Sequence, residues 1–497
     1  MTQAAEEFDV VVVGGGPGGS TVATLVARQG HSVLLLEKER FPRYQIGESL
    51  LPSTVHGICR LLGVDQKIRD AGFTLKRGGT FRWGANQEPW EFSFAASPKF
   101  PGPTSYAFQV ERMKFDQILL ENAAAQGVTV REECSVTEVA DDGERVRGVT
   151  YVDGAGRKHQ VRSRMLVDAS GNRSSIHKQV GGERVYSEFF TNLAVFGYFE
   201  GGARLPAPSA GNIYCCAFES GWFWYIPLSP TLTSVGAVVH KDLAERIRGN
   251  PVTALEDLIA ECPSIRQNLA RARRVTEGPY GQVRVRKDYS YCQTRFWRPG
   301  MVLVGDAACF VDPVFSSGVH LATYSGLLAA RSINSALAGE PGPIDEARAF
   351  GEYELRYRRE YAVFYEFLLA FYDMHVDETS YFWQAKKVTR CSSGEVEAFV
   401  ELVGGVASGE PSLASASSVR DELTAASADL RSVARRVAEG DATQNPVFDS
   451  PVVAKVMREG TSVQMSGLLG GAGRPEAPLQ AGGLIPSRDG LRWAIPG

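Results

Sequence analysis

The chain has 497 residues, 44% of them apolar and 22% charged, with 52 glycines and a formal net charge of −4. At ~100–200 residues per domain-sized unit, the length allows about two to four such units and a large buried core. The slightly acidic balance and the lack of any basic block speak against a nucleic-acid binder, and no run of about 18 apolar residues is present to cross a membrane.

In chain order, Met1 to Asp9 is short and acidic, without the basic, apolar and cleavage segments of an export leader. Phe8–Val13 is a β-branched run ending at glycines and predicts a buried parallel strand. Ser20–Gln29 predicts a helix closed by Gly30, and Ser32–Glu37 a second strand, which completes a βαβ unit. Segments around 75–110 and 190–290, rich in aromatic and β-branched residues, predict strands of a second, mostly antiparallel layer. Asp116–Gln126 predicts a helix, and Val128–Val130 and Leu166–Asp168 return to the first sheet. Met301–Val304 is a buried strand leading to a helix from about Gly318 to Ala338. Tyr353–Ala370 is aromatic and amphipathic, hence helical. From about Gly404 the chain turns small and polar, with an Ala/Ser-rich helix candidate to about Ala438 and a tail rich in Gly and Pro after Gly467.

The expected fold class is α/β (α+β overall): a Rossmann-like domain, a mostly antiparallel β-sheet layer and a helical C-terminal extension. Residues 1–375 form the core, with dinucleotide-binding parts at about 8–75, 110–180 and 285–345, and the sheet layer at about 76–110 and 185–285. Residues 376–497 form the extension, helical and partly mobile. The eight cysteines, Cys59, Cys134, Cys215, Cys216, Cys262, Cys292, Cys309 and Cys391, contain no CxxC pair. No metal site is expected, and the thiols read as reduced, which suits a cytoplasmic protein.

Gly14-Gly15-Gly16-Pro17-Gly18-Gly19 fits GxGxxG at Gly14, Gly16 and Gly19. Gly14 permits the tight turn, Gly16 lets the backbone approach a pyrophosphate, and Gly19 lets helix and strand pack closely. The helix start then presents free N–H groups to phosphate. Glu37, 23 residues beyond Gly14, closes the second strand where a carboxylate accepts from a ribose, with Lys38 beside it. Val304-Gly305-Asp306-Ala307-Ala308, followed by Pro313 and Gly318, places a second carboxylate at a strand's carboxyl edge, suited to a ribityl hydroxyl. Its place so far after the first motif points to FAD rather than NAD. Asp168-Ala169-Ser170-Gly171 follows a strand and either passes near the cofactor or is an ordinary turn. Arg112, just before a helix, either reaches the phosphates or flavin or forms a surface salt bridge.

These motifs, in this order, resemble the flavoprotein monooxygenase superfamily. Within it, three segments are similar to flavin-dependent halogenases: Phe41-Pro42-Arg43 with Gly47-Glu48-Ser49-Leu50-Leu51-Pro52; Trp222-Phe223-Trp224-Tyr225-Ile226-Pro227, which matches WxWxIP; and Asp312-Pro313-Val314-Phe315-Ser316-Ser317-Gly318-Val319-His320. The resemblance covers roughly residues 8–370. To the last hundred residues the chain looks most like halogenases of glycopeptide-antibiotic pathways, which act on tyrosine-type rings held on a carrier protein.

The resemblance implies that FADH2 from a separate reductase reacts with O2 to give a C4a-hydroperoxide, and that chloride attacks it to give hypochlorous acid. A lysine then directs that oxidant to a ring. Lys76 falls at the family's lysine, as ammonium donor or as nucleophilic amine. Read alone, it would be a solvated strand-edge charge. Ser317 and Gly318 fall where backbone N–H groups hold the halide. Trp222, Trp224, Ile226 and Pro227 fall where substrate is kept from the flavin. Glu48 and Ser49 join Pro17, Gly18, Arg112, Asp306 and Pro313 as expected cofactor contacts. Tryptophan-acting members carry a glutamate where this chain has Phe315, so a phenol is the expected substrate. Glu48 and His320 are candidate bases. The expected partners are a flavin reductase and a peptidyl carrier protein bearing a tyrosyl or β-hydroxytyrosyl group, with neither nucleic acid nor membrane. The alternatives are an FAD-dependent aromatic hydroxylase, a reductase or desaturase of the same superfamily, and a non-catalytic flavin-binding partner.

Overall fold

A computed structural model describes residues 6–83, 88–97, 99–100, 102–339, 344–373, 395–407, 410 and 478–496. Its first sheet has a parallel core in the order Met301–Leu303, Lys158–Asp168, Glu6–Val13, Val33–Leu36, Thr129–Arg131. Val10, Val11 and Val12 are fully buried, as a strand covered on both faces requires. Antiparallel strands at Trp297–Arg298 and at Ser135–Asp141 with Val146–Val152 extend it.

The first helix runs Pro17–Ala27, three residues ahead of the expected start. Proline's fixed φ suits the first helical position, so the glycine turn passes straight into the helix. The helix expected from Asp116 begins instead at Arg112 and runs to Ala125. This puts Arg112 and Asp116 one turn apart, where they pair.

The second sheet has nine strands, among them Arg184–Glu200, Leu232–His240, Gly221–Pro227, Ile213–Phe218, Gly78–Arg82 and Trp90–Ser93 in that order. It is antiparallel except between Ile213–Phe218 and Gly78–Arg82. A separate two-stranded ladder pairs Thr74–Lys76 with Ala107–Gln109. The layer is not all strand: Ala244–Ile247, Pro251–Glu261 and Pro263–Asn268 are helices. Asn250 caps the second by accepting from Val252 N at 2.9 Å. That Asn-Pro start, with Leu255 and Leu258 facing inward, was the readable sign.

Two long helices complete the core, Ser317–Ala336 and Glu346–Asp373. Within the expected C-terminal extension, the helix Glu395–Val403 and the segment 478–496 are fastened to this core. Arg331 donates to both oxygens of Glu410, at 2.7 and 2.8 Å, with both side chains buried. Trp493 is also buried; its indole donates to Ser332 Oγ at 2.9 Å and its backbone N–H to Ser335 Oγ at 2.8 Å. The Ala/Ser-rich helix candidate and Cys391 lie outside the described residues. No described helix is long and apolar enough to cross a membrane.

Candidate active site

A cavity of about 490 Å³ lies along the carboxyl edge of the parallel sheet, from the Gly14–Gly18 turn and Glu37 to Asp306 and Gly318. Ligands of open α/β sheets collect at this edge. Gly14 has φ +103°, and a Cβ there would meet the Ala169 carbonyl oxygen at 2.5 Å. A Cβ on Gly19 would lie 1.9 Å from the Gly14 carbonyl oxygen. The turn therefore tolerates only hydrogen at both places, and Gly16 and Gly18 line the cavity with bare backbone on either side of Pro17. The buried Glu37 accepts from Gly15 N at 2.7 Å through one oxygen and from Glu39 N at 2.9 Å through the other. Lys38, exposed, also lines the cavity, as do Ala169, Ser170 and Gly171.

Arg112 is no surface salt bridge. It is buried, gives Nε and Nη2 to Asp116 at 2.7 and 2.9 Å, and gives Nη1 to the Ile46 carbonyl at 2.6 Å. Its donors hold the Ile46–Gly47 backbone at the cavity wall. Asp116 also takes Arg43 Nη1 at 2.8 Å. Arg43 lines the cavity beside Gly16 and was missed as a site residue, although Phe41-Pro42-Arg43 pointed to it.

At the far end, burial pushes Asp306 up to about 6, against Arg112, Arg286 and Arg184. Pro313 and Gly318 line the wall with it. The long helix begins at Ser317 after Ser316, whose φ is +62°, with no side chain capping its free N–H groups. Ser316 and Gly318 face the cavity, and Ser317 Oγ is buried without a hydrogen-bond partner. Uncapped N–H groups at a helix start attract an anion.

The Trp222, Trp224 and Ile226 side chains line the cavity on one face of their strand. Phe223 and Tyr225, on the other face, pack into a separate core under the helices at 244–268. Pro227 ends the strand and does not reach the cavity. Trp224 Nε1 donates to Ser234 Oγ at 3.1 Å, whereas Trp222 Nε1 is buried without a partner.

Glu48 lines the cavity and accepts from Tyr198 OH at 2.7 Å; its Oε2 has no partner. Burial raises its carboxyl to about 7, over the lowering by Ser234, Tyr198 and Arg112. Ser49 beside it lines the cavity and accepts from Lys76 Nζ at 2.9 Å.

Lys76 is only 2% exposed. Its remaining contacts are the Leu50 carbonyl at 3.0 Å and the face of Phe94, 5.6 Å from the ring centroid. Burial lowers the amine to about 7. The solvated strand-edge charge that the residue alone suggests is excluded. Around it Phe94 meets Phe92 at 5.7 Å, Phe92 meets Phe399 at 5.2 Å, and Phe399 meets Phe315 at 6.3 Å between ring centroids.

His320 is not brought to the cavity. It is fully buried, its Nδ1 3.0 Å from Ser53 Oγ and its Nε2 2.7 Å from Glu360 Oε1. It ties the long helices together, away from the cavity lining.

The family model for tryptophan halogenase matches residues 9–102 and 95–426. The chain is 36% identical over 409 residues to a tryptophan 2-halogenase of Chondromyces crocatus, covering 80% of this chain and 75% of that one. It is 32% identical over 400 residues to a flavin-dependent halogenase of Armillaria mellea, covering 76% and 77%. Among solved structures, the myxobacterial chondrochloren halogenase, described as a new variant of FAD-dependent halogenases, matches with a TM-score of 0.74 and 50% identity. That match covers 98% of this chain and 100% of that one. A flavin-dependent brominase matches with a TM-score of 0.70 and 30% identity, covering 80% and 94%. None of these relatives is named for a glycopeptide pathway.

Proposed function

The chain belongs to the tryptophan-halogenase family of FAD-dependent halogenases, enzymes acting on aromatic rings, and on that premise we propose that it chlorinates an activated phenol of the tyrosine or β-hydroxytyrosine type. The ring is held on a peptidyl carrier protein in antibiotic biosynthesis, as in the glycopeptide pathways whose halogenases the motifs resemble.

The cavity suits FAD. The Gly14–Gly19 turn and first helix would take the pyrophosphate, Glu37 a ribose, and Asp306 the ribityl chain. Bound FAD, reduced by a separate flavin reductase, supplies the electrons with which O2 oxidises chloride to hypochlorous acid. Ser317 and Gly318 hold chloride at the helix start. Trp222, Trp224 and Ile226 wall the cavity with apolar surface and keep the aromatic acceptor out.

Lys76 stands behind Ser49, outside the cavity lining. Desolvation, with no carboxylate partner among the described residues, leaves much of the amine neutral at pH 7. The neutral amine attacks the chlorine of hypochlorous acid, forming an N–Cl bond and releasing hydroxide, and then delivers chlorine to the ring. Glu48, with its open oxygen, is the acid–base group at the cavity wall.

Tryptophan is the substrate named for the Chondromyces crocatus relative, but Phe315 favours a phenol. Where tryptophan-acting members carry a glutamate, Phe315 lies among Phe81, Phe367, Phe371 and Phe399. A phenol needs less help, since its own hydroxyl gives up the proton.

The observation that carries this reading is Lys76, a lysine sealed from water and joined to the FAD cavity through one hydroxyl. The test is mass spectrometry of a reaction containing the protein, FAD, a flavin reductase, NADH, O2, chloride and a tyrosyl or β-hydroxytyrosyl carrier protein. A chlorine isotope pattern, lost in Lys76→Ala while FAD still binds, supports it. A gain of oxygen instead would make the protein a hydroxylase, and chlorination of free tryptophan alone would overturn the carrier-bound phenol.

A further inference from the structure

Trp222 belongs to two walls. On its other side lies a second cavity of about 890 Å³, which Ala217, Arg82, Glu261 and Pro263 help to line. Chain neighbours of that lining are Cys216, next to Ala217, and Cys262, between Glu261 and Pro263, and Arg82 of the lining touches the Cys216 sulfur. Both are free thiols and fully buried, and their sulfurs are 3.5 Å apart. Arg82 Nη1 reaches Cys216 Sγ at 3.7 Å and Ser264 Oγ at 3.0 Å. The strand carrying Cys216 and the junction between helices carrying Cys262 are 46 residues apart in sequence. Nothing in the chlorination chemistry uses either thiol.

We propose that Cys216 and Cys262 are an oxidant trap, closing to a disulfide when hypochlorous acid passes the Trp222 wall into the second cavity. The proposal rests on the halogenase reading, which supplies the oxidant. Contact with Cys262, and then Tyr214 and the Arg82 guanidinium 3.7 Å from its sulfur, lower the Cys216 thiol, whereas Cys262, whose sulfur faces Cys216 and which is buried, is raised. Cys216 is therefore the attacking thiolate and Cys262 the resolving thiol. Cys216 sulfur displaces hydroxide from chlorine to give a sulfenyl chloride. Cys262 sulfur then displaces chloride and loses its proton. In sum, two thiols and one hypochlorous acid give a disulfide, water, chloride and a proton, a two-electron oxidation of sulfur that reduces the chlorine to chloride.

The test begins without turnover. Protein with oxidised FAD bound receives one equivalent of hypochlorous acid; free thiols are alkylated without reductant and peptides are mapped by mass spectrometry. The expected product is a Cys216–Cys262 crosslink, with loss of two of the eight alkylatable cysteines. The crosslink should be absent in Cys262→Ala and in Cys216→Ser, so either variant that folds gives the reading. A crosslink instead between Cys292 and Cys309, which lie opposite each other across two strands, overturns the proposal, and so does oxidation of methionine before the pair. Failure here leaves the halogenase reading intact. A second arm runs the chlorinating reaction. The pair should crosslink as product accumulates, and Cys262→Ala, starting at the wild-type rate, should complete fewer turnovers before inactivation. Chlorination with no crosslink, or with equal lifetimes, overturns the trap.

Discussion

At the Gly14–Glu37 end of the cavity the protein offers backbone N–H groups and charge to a ligand, whereas at the Lys76 end it withdraws a charge from water. The first end is local: glycines with no room for a Cβ, and a carboxylate 22 residues away that accepts from Gly15 N. The second is assembled from afar: Phe94 on one segment, Ser49 and Leu50 on another, and Phe399, on the helix Glu395–Val403 much later in the chain, completing the aromatic shell. A cradle made of missing side chains must be written in consecutive residues. A desolvated amine can be surrounded from anywhere.

Five substitutions put this contrast at risk, starting with the largest effect on activity. Lys76→Ala should lower chlorination by about 10³-fold, the scale of a lost acid–base or nucleophilic group, with FAD affinity unchanged by fluorescence titration. Lys76→Arg should be as inactive, because a guanidinium does not lose its proton. Activity near wild type in Lys76→Arg would show that only a cation is needed. At the other end, Gly14→Ala forces a Cβ onto the Ala169 carbonyl at positive φ. Strain of about 1–3 kcal/mol should weaken FAD binding ~10–100-fold, read by the same titration.

Lys76→Met tests desolvation itself. The amine is depressed from its ordinary 10.5 to about 7, so the unfolded chain binds more protons than the folded one between those values, and wild-type stability rises with pH across them. The variant should therefore be more stable than wild type by roughly 2–5 kcal/mol below pH 7. The advantage should shrink as pH rises from about 7 and vanish above about 10.5. Urea titrations at several pH values would show this, and a difference independent of pH would count against a buried, uncompensated amine. Smallest is Glu37→Gln, which keeps the shape but removes the charge that accepts from two backbone N–H groups. About 1–2 kcal/mol should be lost, near tenfold in FAD affinity, with chlorination at saturating FAD unaffected.

The same contrast decides what could be read in advance. Gly14, Gly16, Gly19, Glu37, Asp306 and the parallel core were legible because backbone geometry and strand burial impose them on adjacent residues. Arg112 does line the cavity, but its pairing with Asp116 was hidden because the helix starts four residues earlier than read. The helices at 244–268 were read as strand because their few apolar residues sit within an aromatic, β-rich stretch. The raised carboxyl of Glu48 and its hydrogen bond from Tyr198, 150 residues distant, left no local mark. His320 was placed at the site by its motif, yet its partners Ser53 and Glu360 lie 267 and 40 residues away.

The fastening of Trp493 has a bearing on synthesis. Ser332, which it caps, is made 161 residues earlier, so the helix that starts at the anion-attracting Ser317 waits for its outer cover until that much more chain has left the ribosome. At roughly 5–20 residues per second the delay is about ten to thirty seconds. Through that interval the Ser332 and Ser335 hydroxyls of the nascent chain lack the Trp493 cover they have in the finished protein, which leaves a place for a chaperone to bind.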